Sequence, residues 1–189
     1  MDADKIFNDG QTGLARVARY YQVSIGRGLI NMGADVNKED GFGWTPLCCA
    51  CFESSEEMVK LLIDSGANVN LRQKSFMSPL MWACFRNNLY IVDLLIKAGA
   101  NVNEAYDRYM TPLMRAIISG NLPIVKRLIE GGANVDYVDP SCSSALFIAH
   151  IHGTVEIYDY LLSAGASIYA NGRHVLIKDK NTGIFKLRR

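Results

Sequence analysis

An all-α solenoid of stacked helix hairpins is the fold class this sequence predicts, and three observations carry the prediction. The triplet Thr45-Pro46-Leu47 recurs as Ser78-Pro79-Leu80, Thr111-Pro112-Leu113 and Ser144-Ala145-Leu146, each step being 33 residues. The block Gly66-Ala67-Asn68-Val69-Asn70 recurs at the same period, from Gly33-Ala34-Asp35-Val36-Asn37 through residues 99–103 and 132–136 to Gly165-Ala166-Ser167-Ile168-Tyr169. Between the two blocks, apolar residues fall at helical spacing, as Met58, Leu61 and Leu62 in one copy and Ile91, Leu94 and Leu95 in the next. A hairpin of this size cannot cover its own apolar face, so neighbours must stack, each unit touching only those beside it.

Each element of the unit has a local cause. Thr45 or Thr111 supplies the N-cap of a short first helix, with Pro46 or Pro112 in the first turn, where a missing N–H leaves nothing unsatisfied. That helix is expected to end near residue 53. Ser55, Asn88, Asn121 and Thr154 then share one column, and all four are good N-caps for a second helix; Ser54 with Glu57 offers a capping box one residue earlier. The second helix stops at Gly66, Gly99, Gly132 and Gly165, the residue type that accepts a left-handed C-terminal cap. One period before Thr45 stands Thr12-Gly13-Leu14, a degraded first copy. The units therefore run approximately 8–40, 41–73, 74–106, 107–139 and 140–170, with residues 171–189 left as a tail.

That tail leaves the repeat. It holds Arg173, Lys178, Lys180, Lys186, Arg188 and Arg189 against Asp179, a local charge of +5 within a chain of +1. Val175-Leu176-Ile177 and Ile184-Phe185-Lys186-Leu187 flank Lys180-Asn181-Thr182-Gly183, the pattern of a β-hairpin. We expect its apolar side to cap the end of the stack, since terminal units need a cover. A targeting signal or a nucleic-acid patch is the alternative.

Thr-Pro-Leu-x-x-Ala, then Ile/Val-Val-x-x-Leu-Leu/Ile, then Gly-Ala-x-Val-Asn, at a 33-residue period, resembles the ankyrin repeat. The resemblance covers residues 8 to 170. It implies a rigid protein-binding surface without catalysis or cofactor. One departure is consistent: the family's His after Thr-Pro-Leu is replaced by Ala15, Cys48, Met81, Met114 and Phe147, so the cap loses a hydrogen bond and gains apolar contact. The resemblance also makes Asn37, Asn70 and Asn103 candidates for hydroxylation in an animal cell.

Composition agrees with a folded chain: 49% hydrophobic and 21% charged residues among 189. A near-neutral body argues against nucleic acid as the main partner, no apolar run is long enough for a bilayer, and the acidic start does not read as a signal peptide. An intracellular chain, cytoplasmic or also nuclear, and monomeric, is the expectation. The five cysteines are an odd number without the spacing of a secreted disulfide scaffold. Cys48 takes the usual His position, and Cys51 and Cys84 fill equivalent small-residue positions 33 apart, so we expect packing rather than metal or disulfide. Cys142 falls in a turn tip. His150 and His152, two apart on a helix, face different ways, and no paired carboxylates or partnered serine suggest acid–base or nucleophilic chemistry.

Carried onto this chain, the family's variable positions single out Phe42, Trp44 and Phe52, then Arg72, Lys74, Met77, Trp82, Phe85 and Arg86, then Arg108, Met110 and Arg115. Arg16, Arg19 and Tyr20 from the first copy and Cys49 from the second join the set. Aromatic, Met and Arg residues are those enriched at interface cores and hot spots. The expected ligand is a protein or peptide with apolar anchors and some acidic character. The plainer alternative is that Trp82 and Phe85 pack between units and the arginines are merely solvated. An accessory or inhibitor subunit of an enzyme or transcription complex, or a nucleic-acid contact through the tail, are rival roles.

Overall fold

The computed structural model describes residues 4–71, 77–107, 109–141 and 143–167, and past these only the backbone of four two-residue strands. Ten α-helices occur among the described residues: α1 (Gly13–Arg19), α2 (Val23–Asn31), α3 (Pro46–Glu53), α4 (Glu56–Asp64), α5 (Pro79–Phe85), α6 (Leu89–Lys97), α7 (Pro112–Ile118), α8 (Leu122–Glu130), α9 (Ala145–His152) and α10 (Val155–Ser163). Consecutive helices pack in pairs, α1 with α2 through α9 with α10. The chain divides into two compact units, Met1–Asn101 and Val102–Arg189.

In the first unit the first helices form one row, α1 against α3 and α3 against α5, and the second helices another, α2 against α4 and α4 against α6. In the second unit α7 packs on α9 and α8 on α10. In the first unit the core between the rows holds Leu14, Leu47 and Leu80 with Met58 and Ile91, and in the second Leu113 and Leu146 with Ile124 and Ile157, all buried. Of the expected second-helix residues, Leu94 is only half-buried.

The hydroxyl caps form as the sequence predicts. The amide N–H groups of Ala15, Cys48, Met81, Met114 and Phe147 donate to Thr12, Thr45, Ser78, Thr111 and Ser144 at 3.1–3.4 Å. All five capping residues are buried, so each satisfies a helix-end donor that water cannot reach. On the second row Asn88, Asn121 and Thr154 accept from residues three further on, but Ser55 makes no side-chain cap bond. Ser54 is not the start of a capping box. It closes α3 in the left-handed region, at φ 61°. The glycines after the second helices adopt the expected positive φ, 87° at Gly66 and 88° at Gly99.

The Asn of Val-Asn is a structural tie. Asn37 Oδ1 accepts from the amide of Asn68 at 2.8 Å and Asn70 Oδ1 from that of Asn101 at 2.8 Å. In the second unit Asn103 and Asp136 accept from Asn134 and Ser167, both at 2.7 Å. Each rung joins the turn after one hairpin to the turn after the next, with the same 33-residue repeat. Asp4 accepting from Asp35 at 2.9 Å continues the column to the chain's first described residue.

In the tail, β1 (Tyr169–Ala170) pairs antiparallel with β2 (Arg173–His174), a pairing the sequence pattern did not announce. β3 (Ile177–Lys178) pairs antiparallel with β4 (Phe185–Lys186); β4 falls within the second segment read as a hairpin strand, and β3 overlaps the first at Ile177 alone. The turn expected at 180–183 lies outside the described residues. No helix among the described residues is long and apolar enough to cross a membrane.

Candidate functional site

The turn before α3 is built around Asp40. Its backbone N–H donates to the Trp44 carbonyl at 2.9 Å, and its Oδ1 accepts from the amides of Phe42 (2.9 Å) and Trp44 (2.8 Å). The Asp40-Gly41 pair supplies the turn chemistry. Asp139 repeats the arrangement in the second unit, its Oδ1 accepting from the Ser143 amide at 2.8 Å. The first of these tips sits on the turn ahead of it, where the Phe42 ring lies against Gly10. A Cβ on Gly10 would stand 3.0 Å from that ring, and one on Gly41 would stand 2.9 Å from the Gly10 carbonyl oxygen. Two glycines thus allow the tips to touch and hold Phe42 and Trp44 in place.

Onto this turn folds an aromatic cluster, all of it in the first unit. The rings of Trp44 and Trp82 stack at 5.1 Å and 24°. Phe52 meets both edge-on, at 5.6 Å from Trp44 and 5.0 Å from Trp82. Phe85 closes on Trp82 at 5.8 Å and 89°. These are the offset and edge-to-face geometries that add about 0.5–1.5 kcal/mol per pair beyond burial. The Arg19 guanidinium lies 4.9 Å over Trp44, and that of Arg86 lies 5.3 Å over Phe52. Arg19 also approaches the sealed Asp40 carboxylate, Nη2 to Oδ2 at 3.5 Å. An open cleft of about 560 Å³ is lined by Gln11, Arg19, Phe42, Trp44 and Phe52.

Of the sequence-predicted residues, the structure brings together Phe42, Trp44, Phe52, Trp82, Phe85 and Arg86. Phe42 is 57% exposed and Phe85 37%, but Trp82 is only 9% exposed. The reading of Trp82 as an outward ring is therefore corrected: three aromatic neighbours cover it, and it is the floor of the cluster. Cys49, placed among the partner-facing positions, is buried as well, because α3 lies between α1 and α5. Met77 is half-buried just before α5. Met110 and Arg115 belong to the second unit, where Met110 pairs with Tyr106 across a tight turn and both are half-buried. Arg72, Lys74, Arg108 and Cys142 lie outside the described residues.

Sequence reasoning missed Asp40 and Gln11. Asp40 left a signal, since Asp139 stands three periods further on in the same turn. Tyr21 was also missed; its hydroxyl donates to the Glu53 carbonyl at 2.6 Å and links the first hairpin to the end of α3.

The four described cysteines are packing atoms. Cys48, Cys49, Cys51 and Cys84 are free thiols and all are buried. Burial pushes the thiol of Cys48 up to about 11 and that of Cys49 up to about 12, and moves that of Cys51 well above its ordinary range. At neutral pH these sulfurs are protonated, the poor-nucleophile state. Among the described residues no three His, Cys, Asp or Glu side chains converge to hold a metal ion.

A family model described as ankyrin repeats (3 copies) matches the chain over residues 1–106 and again over 80–172. A search of the curated proteins returns no match.

Proposed function

The chain belongs to the ankyrin-repeat family, and from that premise we propose that it is a five-unit, non-catalytic interaction module that holds a protein or peptide on the surface around Trp44. Ankyrin repeats are in general protein–protein interaction modules. The observation that carries the site is the aromatic cluster of Trp44, Phe52, Trp82 and Phe85, with Arg19 and Arg86 stacked on it and Phe42 standing open beside it. Aromatic rings and arginines in contact, partly open to water, have the composition of an interface hot spot rather than of a solvated face. The N-caps and the aromatic floor support a surface that exists before the ligand arrives, so little ordering is needed on binding. The tail from 171 is read as a cover for the end of the stack.

The test uses the exposed residues, because truncating Trp82 would remove core. Affinity purification with mass spectrometry is to compare wild type with a Phe42→Ala, Phe85→Ala, Arg86→Ala variant and with a control altered at Tyr90 on α6. Partners lost from the triple variant and retained by the control support the site. An unchanged partner set in a folded triple variant places binding elsewhere.

A further inference from the structure

We infer that the ligand of the Trp44 cleft is an acidic segment, one that sets an apolar side chain against Phe42, Trp44 and Phe52 and a carboxylate against the neighbouring guanidinium groups. This rests on the proposed function and names the kind of partner it takes.

The charge around the cleft is arranged unevenly. Arg16 and Arg19 are three apart on α1 and so share one face of that helix. Arg19 lines the aromatic cleft, while Arg16 lines a second one of about 310 Å³ with Lys5, Phe7, Asn8 and Asp9. Arg86 stands on the other side, over Phe52. Arg19 and Arg86 thus flank the aromatic cleft, with Arg16 one helical turn before Arg19 on α1. Acids oppose them: Asp9, which pairs loosely with Arg16 at 3.6 Å, Glu53 at the end of α3, Asp40, and Glu39 beside it in the turn. The Asp40 side chain is wholly covered, one oxygen taken by two amides and the other turned to Arg19, so its charge is not offered to a ligand.

Arg19 is fixed in place, its charge facing the sealed Asp40 carboxylate. Stacking on Trp44 and the contact with Asp40 fix the plane of its guanidinium; among the described residues neither its buried Nε nor Asp40 Oδ2 has a hydrogen-bond partner. Carboxylate is the acceptor whose geometry matches the arginine fork. A basic segment fits poorly, because the cation position over Trp44 is already filled.

Trp44 and Trp82 are the only two tryptophans of the chain, so tryptophan emission, excited selectively over tyrosine, reports on this cluster alone. The probes are three blocked peptides of one length, each with a central Phe-Leu pair flanked by Asp, by Asn or by Lys. Only the Asp peptide should perturb the emission strongly, binding at least about tenfold more tightly than the Asn peptide. That preference should shrink as NaCl rises from about 0.05 to about 0.5 M. An Arg16→Gln, Arg86→Gln variant, which leaves the buried Arg19–Asp40 pair intact, should lose most of the preference for the Asp over the Asn peptide, and a preference kept in full overturns the assignment. Equal binding of Asp and Asn peptides, or preference for Lys, overturns the acidic assignment and leaves the apolar surface standing. No response to any of the three overturns the assignment as well, and partner loss in the Phe42, Phe85, Arg86 variant then decides whether the surface itself survives.

Discussion

The hairpins α1–α2 and α3–α4 carry the same column of residues to different ends. Met58 on α4 is 0% exposed, whereas Ile25, one period earlier on α2, is 51% exposed. Leu62 is buried and its counterpart Leu29 only half so. The difference is a neighbour: α4 is packed against both α2 and α6, and α2 against α4. Where Val59 fills space on α4, α2 has Gly26, whose missing Cβ makes room for the Met58 methyl 2.9 Å from where it would stand. Apolar character at a position states which face of a helix is meant to be covered; place in the stack decides whether it is.

The largest test of that contrast is truncation at the two equivalent positions. Met58→Ala removes a fully enclosed side chain and should destabilise by about 2–5 kcal/mol, read from chemical denaturation. Ile25→Ala should stay within about 1 kcal/mol, since much of that surface is already wet. Equal losses would mean that Ile25 is covered in solution.

A smaller effect is expected from the rungs between turns. Asn70 both accepts from the Asn101 amide and donates through Nδ2 to the Gly99 carbonyl at 3.1 Å. Asn70→Ala should therefore cost about 1–2 kcal/mol, with water replacing part of what is lost. Asn70→Asp keeps the acceptor and should recover part of it. If Ala and Asp behave alike, the rung contributes nothing measurable.

The period, the hydroxyl caps and the apolar columns were all legible in the sequence, because each depends on a few residues close together in the chain. Thr45 caps Cys48 and Gly66 ends α4 through bonds three to five residues long. What was not legible depends on distance. Nothing near Asn37 states that its amide oxygen will meet the backbone of Asn68, and nothing near Trp82 states that Trp44 and Phe52 will roof it. Aromatic and Arg residues mark a surface by type, and the same types stack on one another when the fold brings them together. Hence the residue types named the rings that meet in the cluster, while Trp82 was assigned the wrong exposure. Cys49 was misplaced for the same reason, its burial being decided by α1 and α5 rather than by α3.

The end hairpin also carries avoidable glycine. Gly28 lies within α2, and a Cβ there meets nothing within 4 Å. Gly28→Ala should stabilise by about 0.5–1 kcal/mol through helix propensity alone. Hydrogen exchange should slow in α2 more than in α4. Slowing spread evenly over both helices would show that the end pair does not open ahead of its neighbour.

The finest comparison lies in the turn between the helices of each pair, where Tyr21 and Ser54 occupy one column, at φ 58° and 61°. A side chain in the left-handed region costs roughly 1–2 kcal/mol, and glycine avoids this while losing more entropy on folding. Ser54→Gly should then come out stabilising by about 0.5 kcal/mol, as relief of strain slightly outweighs the added entropy loss. Tyr21→Gly removes the same strain but also the 2.6 Å bond from the Tyr21 hydroxyl to the Glu53 carbonyl, a bond that contributes about 1 kcal/mol. Its net effect should be neutral to destabilising, with the loss reproduced by Tyr21→Phe. Should Tyr21→Gly stabilise as much as Ser54→Gly, that hydroxyl does not tie the first hairpin to the second, and the two are held by α1 against α3, by α2 against α4 and by the contacts between their turns.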